Sequence, residues 1–293
     1  NMTIIEDLEK ELAAWVGKEA ALVFSTGMQT NLGTISALVG KDDIIIMDKE
    51  DHASIVDGAF LSGGKIERFR HNDMDHLERV LKSLPEEKGK LLVVDGLFSM
   101  EGDIAPLPRM VELCEAYNVR LMVDDAHAFG VLGGGRGTAA HFGLTDKVDL
   151  IMSTFSKSMA SIGGFIAGDF AVVDYIKHHA RSLIFSASIP PANTATVLAA
   201  LQVMKEEPER IERVNQNGAF MRQGFKKLGF DTGASCTPVV PIIIGDDART
   251  FESWRRLFEE GVFVNPVISP APSPGRKLLR HTYMATQHQD QSA

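Results

Sequence analysis

Arg120-Leu-Met-Val-Asp-Asp-Ala-His127 is the stretch whose reading decides the fold of this chain. An apolar run ends in two carboxylates and, three residues past the first of them, a histidine. A second apolar run, Val148-Asp-Leu-Ile-Met-Ser-Thr154, leads into Phe155-Ser-Lys157 and sets a lysine 33 residues after Asp124. Short, continuous apolar runs of this kind read as strands covered on both faces, as in a parallel sheet flanked by helices. Ligands of open α/β sheets bind outside the carboxyl ends of such strands. The runs that set the fold therefore also deliver Asp124, His127 and Lys157 towards one edge of it.

Outward from this stretch the pattern repeats. Strands are expected at residues 20–24, 44–47, 65–69, 90–95, 119–124, 148–154 and 163–168. Amphipathic helices are expected at 4–16, 74–84, 107–117, 172–181 and 192–204, where Ile5, Leu8, Leu12 and Trp15 recur at helical spacing in the first. Alternation of this sort is the α/β signature. After Met204 the texture changes to a long charged helix over 208–228, strands at 239–244 and 262–264, and a helix over 250–260. The expected organisation is a mostly parallel large domain over residues 1–200 and a smaller α+β domain over 201–293, with the boundary near 195–208. The segment Ser269-Pro-Ala-Pro-Ser-Pro-Gly275 reads as a loop that edges a pocket.

Composition narrows the class. The chain has 293 residues, 44% of them hydrophobic and 24% charged, as in a globular protein with a substantial core. No apolar run approaches the roughly 20 residues of a membrane span, and the first residues lack the form of a signal peptide. Cys114 and Cys236 fit no metal-ligand spacing, so neither a disulfide framework nor a metal site is expected, and the location expected is cytoplasmic. A formal net charge of −9 argues against general nucleic-acid binding.

Each residue with chemical potential also has a structural explanation. Asp124 could pair with a protonated pyridine nitrogen, as pyridoxal phosphate chemistry requires, or could cap a turn. Asp125 points to the opposite face of the strand. His127 suits a ring oxygen, or an ordinary loop. Lys157, among Ser156, Ser158, Ala160 and Ser161, suits a carbonyl-linking amine, or solvent. Phe24-Ser-Thr-Gly-Met-Gln-Thr-Asn31 joins a strand to a helix start, where Thr26, Gly27 and Met28 could cradle a phosphate or form a plain N-cap turn. Asp51-His52-Ala-Ser54 offers an imidazole to a cofactor ring, or a helix capped by Asp51. Gly133-Gly-Gly-Arg-Gly137 lacks the Lys-Ser/Thr of a P-loop and reads as a surface loop. Arg280 leaves an apolar strand and suits a substrate carboxylate, whereas Arg276 lies in the loop and reads as solvated.

Taken together, these motifs resemble the α-oxoamine synthase family of fold-type I pyridoxal phosphate transferases. The resemblance runs through Ser25-Thr-Gly-Met-Gln-Thr-Asn31, Asp51-His-Ala-Ser-Ile55, Asp95-Gly-Leu-Phe-Ser-Met-Glu-Gly-Asp103, Asp124-Asp-Ala-His-Ala-Phe-Gly130, Thr154-Phe-Ser-Lys157 and Gly163-Gly164. It implies that Lys157 links the cofactor, Asp124 holds its pyridine nitrogen, His127 meets the ring oxygen and His52 stacks on the ring. It further implies that Ser99 contacts ring or substrate, and that Thr154 and Ser156 bind phosphate with the Gly27–Met28 turn. Met28 stands where the family usually has an aromatic residue. Residues 186–188 would reach the phosphate of a second subunit in a homodimer.

The segments around Lys157, Asn265 and Arg280 are most similar to the family's bacterial serine palmitoyltransferases. That likeness implies condensation of L-serine with palmitoyl-CoA to 3-ketodihydrosphingosine, CoA and CO2, the entry to sphingolipid synthesis, with Arg280 on the serine carboxylate. The alternatives implied are glycine C-acetyltransferase, 8-amino-7-oxononanoate synthase, or a non-catalytic partner subunit. Relative to the family's usual length, about a hundred N-terminal residues and the end of the last helix are missing. The expectation is a truncated chain in which the apolar face of residues 4–16 lacks part of its partner surface.

Overall fold

The computed structural model describes residues 2–269 and 275–287, in two compact units. The first comprises residues 1–97 and 105–207, the second 98–104 and 208–293.

The first unit is built on seven strands: β1 (Ala20–Phe24), β2 (Ile44–Asp48), β3 (Lys65–Phe69), β4 (Lys90–Asp95), β5 (Arg120–Asp124), β6 (Leu150–Thr154) and β7 (Gly164–Gly168). Their order across the sheet is β1-β7-β6-β5-β4-β2-β3. The pairs β2–β3, β2–β4, β4–β5 and β5–β6 are parallel, while β7 runs antiparallel to both β6 and β1. The mostly parallel α/β sheet expected from the sequence is what forms. Every residue of β2, β4, β6 and β7 is buried, which is why these strands read as unbroken apolar runs. Leu22, Ile45, Met47, Val93, Met122 and Ile166 lie in one continuous core with Ile35 and Ile55 from the helices Gly27–Leu38 and Ala53–Ser62.

Because β7 is the only reversed strand, the carboxyl ends of β1, β2, β4, β5 and β6 share one edge of the sheet. The start of β7 joins them, with Gly164 in register with both Phe24 and Thr154.

Two local features differ from expectation, and a third, expected at the surface, forms there as a turn. The apolar face of the helix Thr3–Val16 is covered: Leu8 and Leu12 are fully buried, and Trp15 donates its Nε1–H to the Gly135 carbonyl at 3.3 Å. The helix Ala53–Ser62 is capped by His52, whose Nδ1 accepts the Ser54 N–H, and not by Asp51. The Gly133–Gly137 stretch is an ordered turn on the first unit. Gly137 has φ +103°, and a Cβ there would lie 2.1 Å from Asp125 Oδ2, so only glycine fits.

The second unit holds an antiparallel sheet of β8 (Val239–Ile243), β9 (Asn265–Val267) and β10 (Leu278–Thr282) in the order β8-β10-β9. The helices Glu209–Lys227 and Asp247–Glu259 belong to it, and Ile242, Val264 and Leu279 form its core with Trp254 and Leu257. The strand expected at 262–264 lies instead at 265–267. Pro266 cannot donate to a ladder, but β9 is an edge strand and tolerates it. Residues 98–104 belong to this unit, where the Gly102 carbonyl accepts from Thr237 Oγ1 at 2.8 Å and from the Cys236 N–H at 3.2 Å. Of the Pro-rich segment, residues 270–274 lie outside the described residues. Among the described residues no helix is long and apolar enough to cross a membrane.

Candidate active site

Asp124 ends β5 opposite Asp95 at the end of β4, and only 3% of its surface is exposed. Oδ1 accepts the Ala126 N–H at 2.9 Å, and Oδ2 accepts from Asn31 Nδ2 at 2.7 Å. A carboxylate has about four lone-pair sites, so these two bonds hold the group without exhausting it. His127 follows, half-buried, in a turn closed by the Ala128 and Phe129 N–H groups on the Asp125 carbonyl.

Two further carboxylates brace this edge. Asp51 accepts the Asp48 N–H at 2.7 Å and the Asp95 N–H at 2.9 Å, tying the ends of β2 and β4 together. Asp95 Oδ2 accepts the His52 N–H at 2.8 Å and so places that residue. Burial pushes both carboxyls well above the usual carboxylate range; Asp48 adds to the rise at Asp51, and Asp124 and Asp51 add to it at Asp95. The His52 N–H and the Lys157 ammonium pull Asp95 the other way, so Lys157 lies within electrostatic reach of this group. Despite these carboxyls, no cluster of three or more His, Cys, Asp or Glu residues among the described residues is arranged to hold a metal.

Lys157 itself is exposed, on a turn after β6 closed by Ala160 N–H to the Lys157 carbonyl and Ser161 N–H to the Phe155 carbonyl. Thr154, at the end of β6, is buried; its hydroxyl donates to the Gly163 carbonyl at 3.0 Å and lies 3.0 Å from the exposed Ser156 Oγ.

Across β7 from this turn, the helix Gly27–Leu38 begins. Thr26 caps it, accepting the Gln29 N–H at 3.1 Å. The Gly27 and Met28 N–H groups are first-turn donors that a helix cannot pair internally, and Met28 is exposed. A Cβ on Gly27 would sit 2.8 Å from Thr154 Oγ1. Glycine therefore lets the helix start approach the Thr154 and Ser156 hydroxyls closely, an arrangement that could receive an anion. Gln29 Nε2 donates to Ser186 Oγ at 2.8 Å, and Ser25 Oγ to the Ala187 carbonyl, so residues 186–188 are held against the same turn.

These groups fit pyridoxal phosphate on the structure alone. A helix-start cradle closed to any Cβ faces the phosphate role, a buried carboxylate with spare acceptor capacity suits a pyridinium, and an exposed lysine lies beside them.

Ser99 and Arg280 belong to the second unit, where Arg280 Nη1 donates to the Ser99 carbonyl at 3.3 Å. Arg280 Nε is buried without a hydrogen-bond partner, and burial lowers the guanidinium below its ordinary value. A cation so placed suits an anionic ligand. Arg276, expected to be solvated, stays partly exposed but is also paired: its Nε donates to Glu101 Oε1 at 2.7 Å and its Nη2 to Glu101 Oε2. Asn31, Asp51 and Asp95 also stand at this edge, beyond the residues that the sequence singles out. Asp95 ends an apolar run as Asp124 does, a signal that was available.

The model of the aminotransferase class I and II family matches residues 1–292. Serine palmitoyltransferase of Sphingobacterium spiritivorum is 54% identical over 286 residues, covering 97% of this chain and 72% of that protein. The 8-amino-7-oxononanoate synthase of Bacillus pumilus is 45% identical over 280 residues, covering 95% of this chain and 71% of that protein. Among solved structures, Sphingomonas wittichii serine palmitoyltransferase superposes with a TM-score of 0.96 at 36% identity, covering all of this chain and 74% of that one. A serine palmitoyltransferase from S. paucimobilis, solved with a bound PLP–myriocin aldimine, gives 0.96 at 34% identity, again covering 100% of this chain and 74% of that one. This chain belongs to the aminotransferase class I and II family, as a fold-type I pyridoxal phosphate enzyme closely related to the bacterial serine palmitoyltransferases.

Proposed function

We propose that this chain condenses L-serine with palmitoyl-CoA to give 3-ketodihydrosphingosine, CoA and CO2. The chain is a pyridoxal phosphate-dependent α-oxoamine synthase, and its reaction is a decarboxylative Claisen condensation. The serine reading is carried by one observation, the 54% identity to a serine palmitoyltransferase across nearly the whole chain, against 45% to the 8-amino-7-oxononanoate synthase.

The cofactor, when bound, supplies an electron sink for charge that develops on the amino-acid α-carbon. The protein's own groups do the rest. Thr154, Ser156 and the N–H groups of Gly27 and Met28, with Thr26 capping that turn, would hold the phosphate. Asp124 would accept from the ring nitrogen, His127 would meet the ring oxygen, and His52 would lie against the ring face. Lys157 would anchor the cofactor covalently and would serve as the base for the α-proton. Arg280 is assigned to the serine carboxylate and Ser99 to ring or substrate, on the chemistry of those side chains. The new C–C bond joins the serine α-carbon to the acyl carbon, the thioester C–S bond breaks as CoA leaves, and the serine carboxylate departs as CO2, with a proton taking its place on the α-carbon. We assign the chain to a homodimer with shared sites and to the cytoplasm, on the family resemblance and the cysteine usage.

Spectral titration of the cofactor-loaded protein tests the amino-acid assignment. L-serine is expected to shift the visible band with at least about tenfold tighter half-saturation than glycine or L-alanine, a margin near 1.4 kcal/mol. A response to alanine or glycine with none to serine would move the assignment to the corresponding relative. Lys157→Ala should abolish the band of the lysine-linked cofactor.

A further inference from the structure

The geometry points to Asn31 and Ser54 as positioning residues: a hydrogen-bond relay runs from Asp124 through Asn31 and Ser54 to His52, and it fixes the His52 ring as the tautomer protonated on Nε2.

The polarity of the relay follows from its end. A carboxylate only accepts, so the Asn31 atom 2.7 Å from Asp124 Oδ2 is the amide nitrogen. The same Nδ2 lies 2.8 Å from Ser54 Oγ, so its two protons are spent, one on each neighbour. Ser54 Oγ accepts from Asn31 and sends its own proton to His52 Nδ1 at 2.8 Å. The Ser54 backbone N–H reaches the same nitrogen at 3.2 Å. With two donors aimed at it, Nδ1 carries no proton, and the ring proton sits on Nε2.

Asn31 is fully buried and Ser54 is 2% exposed, whereas His52 is exposed. Asn31 Oδ1 is buried with no hydrogen-bond partner. An apolar side chain of the same size would avoid that penalty, so packing alone does not account for an asparagine here. Its use is to supply two donors at once. One restrains the Asp124 carboxylate; the other commits the Ser54 proton to His52. In the reaction His52 is then a hydrogen-bond donor through Nε2, suited to an oxygen that gains negative charge, and not a base.

This inference rests on the proposed reaction for its functional meaning, but its structural content is measured separately. Protein carrying isotope-labelled histidine is examined by nitrogen-correlated NMR, with and without pyridoxal phosphate, and the His52 signals are assigned against His52→Gln. The wild type should show an unprotonated, hydrogen-bonded Nδ1 and a protonated Nε2 in both states. Asn31→Ala, which does not touch His52, and Ser54→Ala should each move the Nδ1 signal towards that of an unbonded ring nitrogen. In the loaded enzyme Asn31→Ala should shift the visible band and lower kcat about ten- to hundredfold, the range for losing a hydrogen bond to a charged group, with KM for the acyl-CoA changed less than about threefold. A proton on Nδ1 in the wild type, or an unmoved Nδ1 signal in both variants, would overturn the relay. Failure of the wild type to bind the cofactor would instead strike the proposed function and leave the tautomer result standing.

Discussion

Asp125 is fully buried beside the proposed cofactor carboxylate, with Oδ2 accepting the Thr138 N–H at 2.9 Å. Burial pushes its carboxyl from 3.8 up to about 7, against the pull of Thr138, and the Asp124 charge adds to the rise. A raised folded value means that the folded state holds the proton more tightly than the unfolded chain. The resulting stabilisation is complete below about pH 4 and is lost as pH rises towards 7. Asp125→Asn keeps the acceptor and removes the titration. The wild type's stability relative to Asp125→Asn should therefore fall by on the order of 4 kcal/mol between about pH 4 and pH 7, read from denaturant midpoints across that range. A flat difference would contradict the buried, proton-binding Asp125. At this scale the sequence is uneven. Asp124, Thr154 and Lys157 announce themselves because each follows an apolar run, and the structure puts all three at one sheet edge; their roles stand as proposals. Asn31 is silent, because its meaning depends on Ser54 and Asp124, which lie 23 and 93 residues away in the chain. The pairing of Arg276 is equally silent, because its partner, Glu101, is 175 residues distant.

Among the elements, β1 is an edge strand paired only with β7, and an edge exposes backbone donors. The helix Thr3–Val16 answers this with Glu9, whose Oε1 accepts the Val23 N–H at 3.0 Å. Burial raises the Glu9 carboxyl, and the bond to Val23 partly offsets it. Glu9→Ala leaves that N–H unpaired and should cost about 1–3 kcal/mol, with faster hydrogen exchange at Val23, while Glu9→Gln should keep most of the bond. Equal losses in both variants would assign the effect to charge and not to the acceptor. Strand and helix periods made most elements legible from residue order. What they did not reveal was capping and register. Asp51 looks like the cap of the helix Ala53–Ser62, yet its carboxylate spans two strand ends and His52 caps instead. The strand at 265–267 was displaced from 262–264 because the apolar run Val262-Phe-Val264 outweighs Pro266 when edge position is unknown.

For the molecule as a whole, chain order and fold unit part company at residues 98–104, which belong with the second unit although they follow β4 of the first. No local pattern marks that exchange; the Gly102 carbonyl makes it, through bonds to Thr237 and Cys236 more than 130 residues on. The mostly parallel architecture with one reversed strand is, by contrast, readable in outline, because fully buried strands are continuous apolar runs. That architecture gathers the strand ends on which the functional account depends. The most direct test gives the pyridoxal phosphate-loaded protein palmitoyl-CoA and L-serine labelled at the carboxyl carbon, and follows gas and lipid products by mass spectrometry. The account predicts labelled CO2 released one-for-one with unlabelled 3-ketodihydrosphingosine, both lost in Lys157→Ala. Turnover of glycine with acetyl-CoA or alanine with pimeloyl-CoA, and none of serine with palmitoyl-CoA, would contradict it.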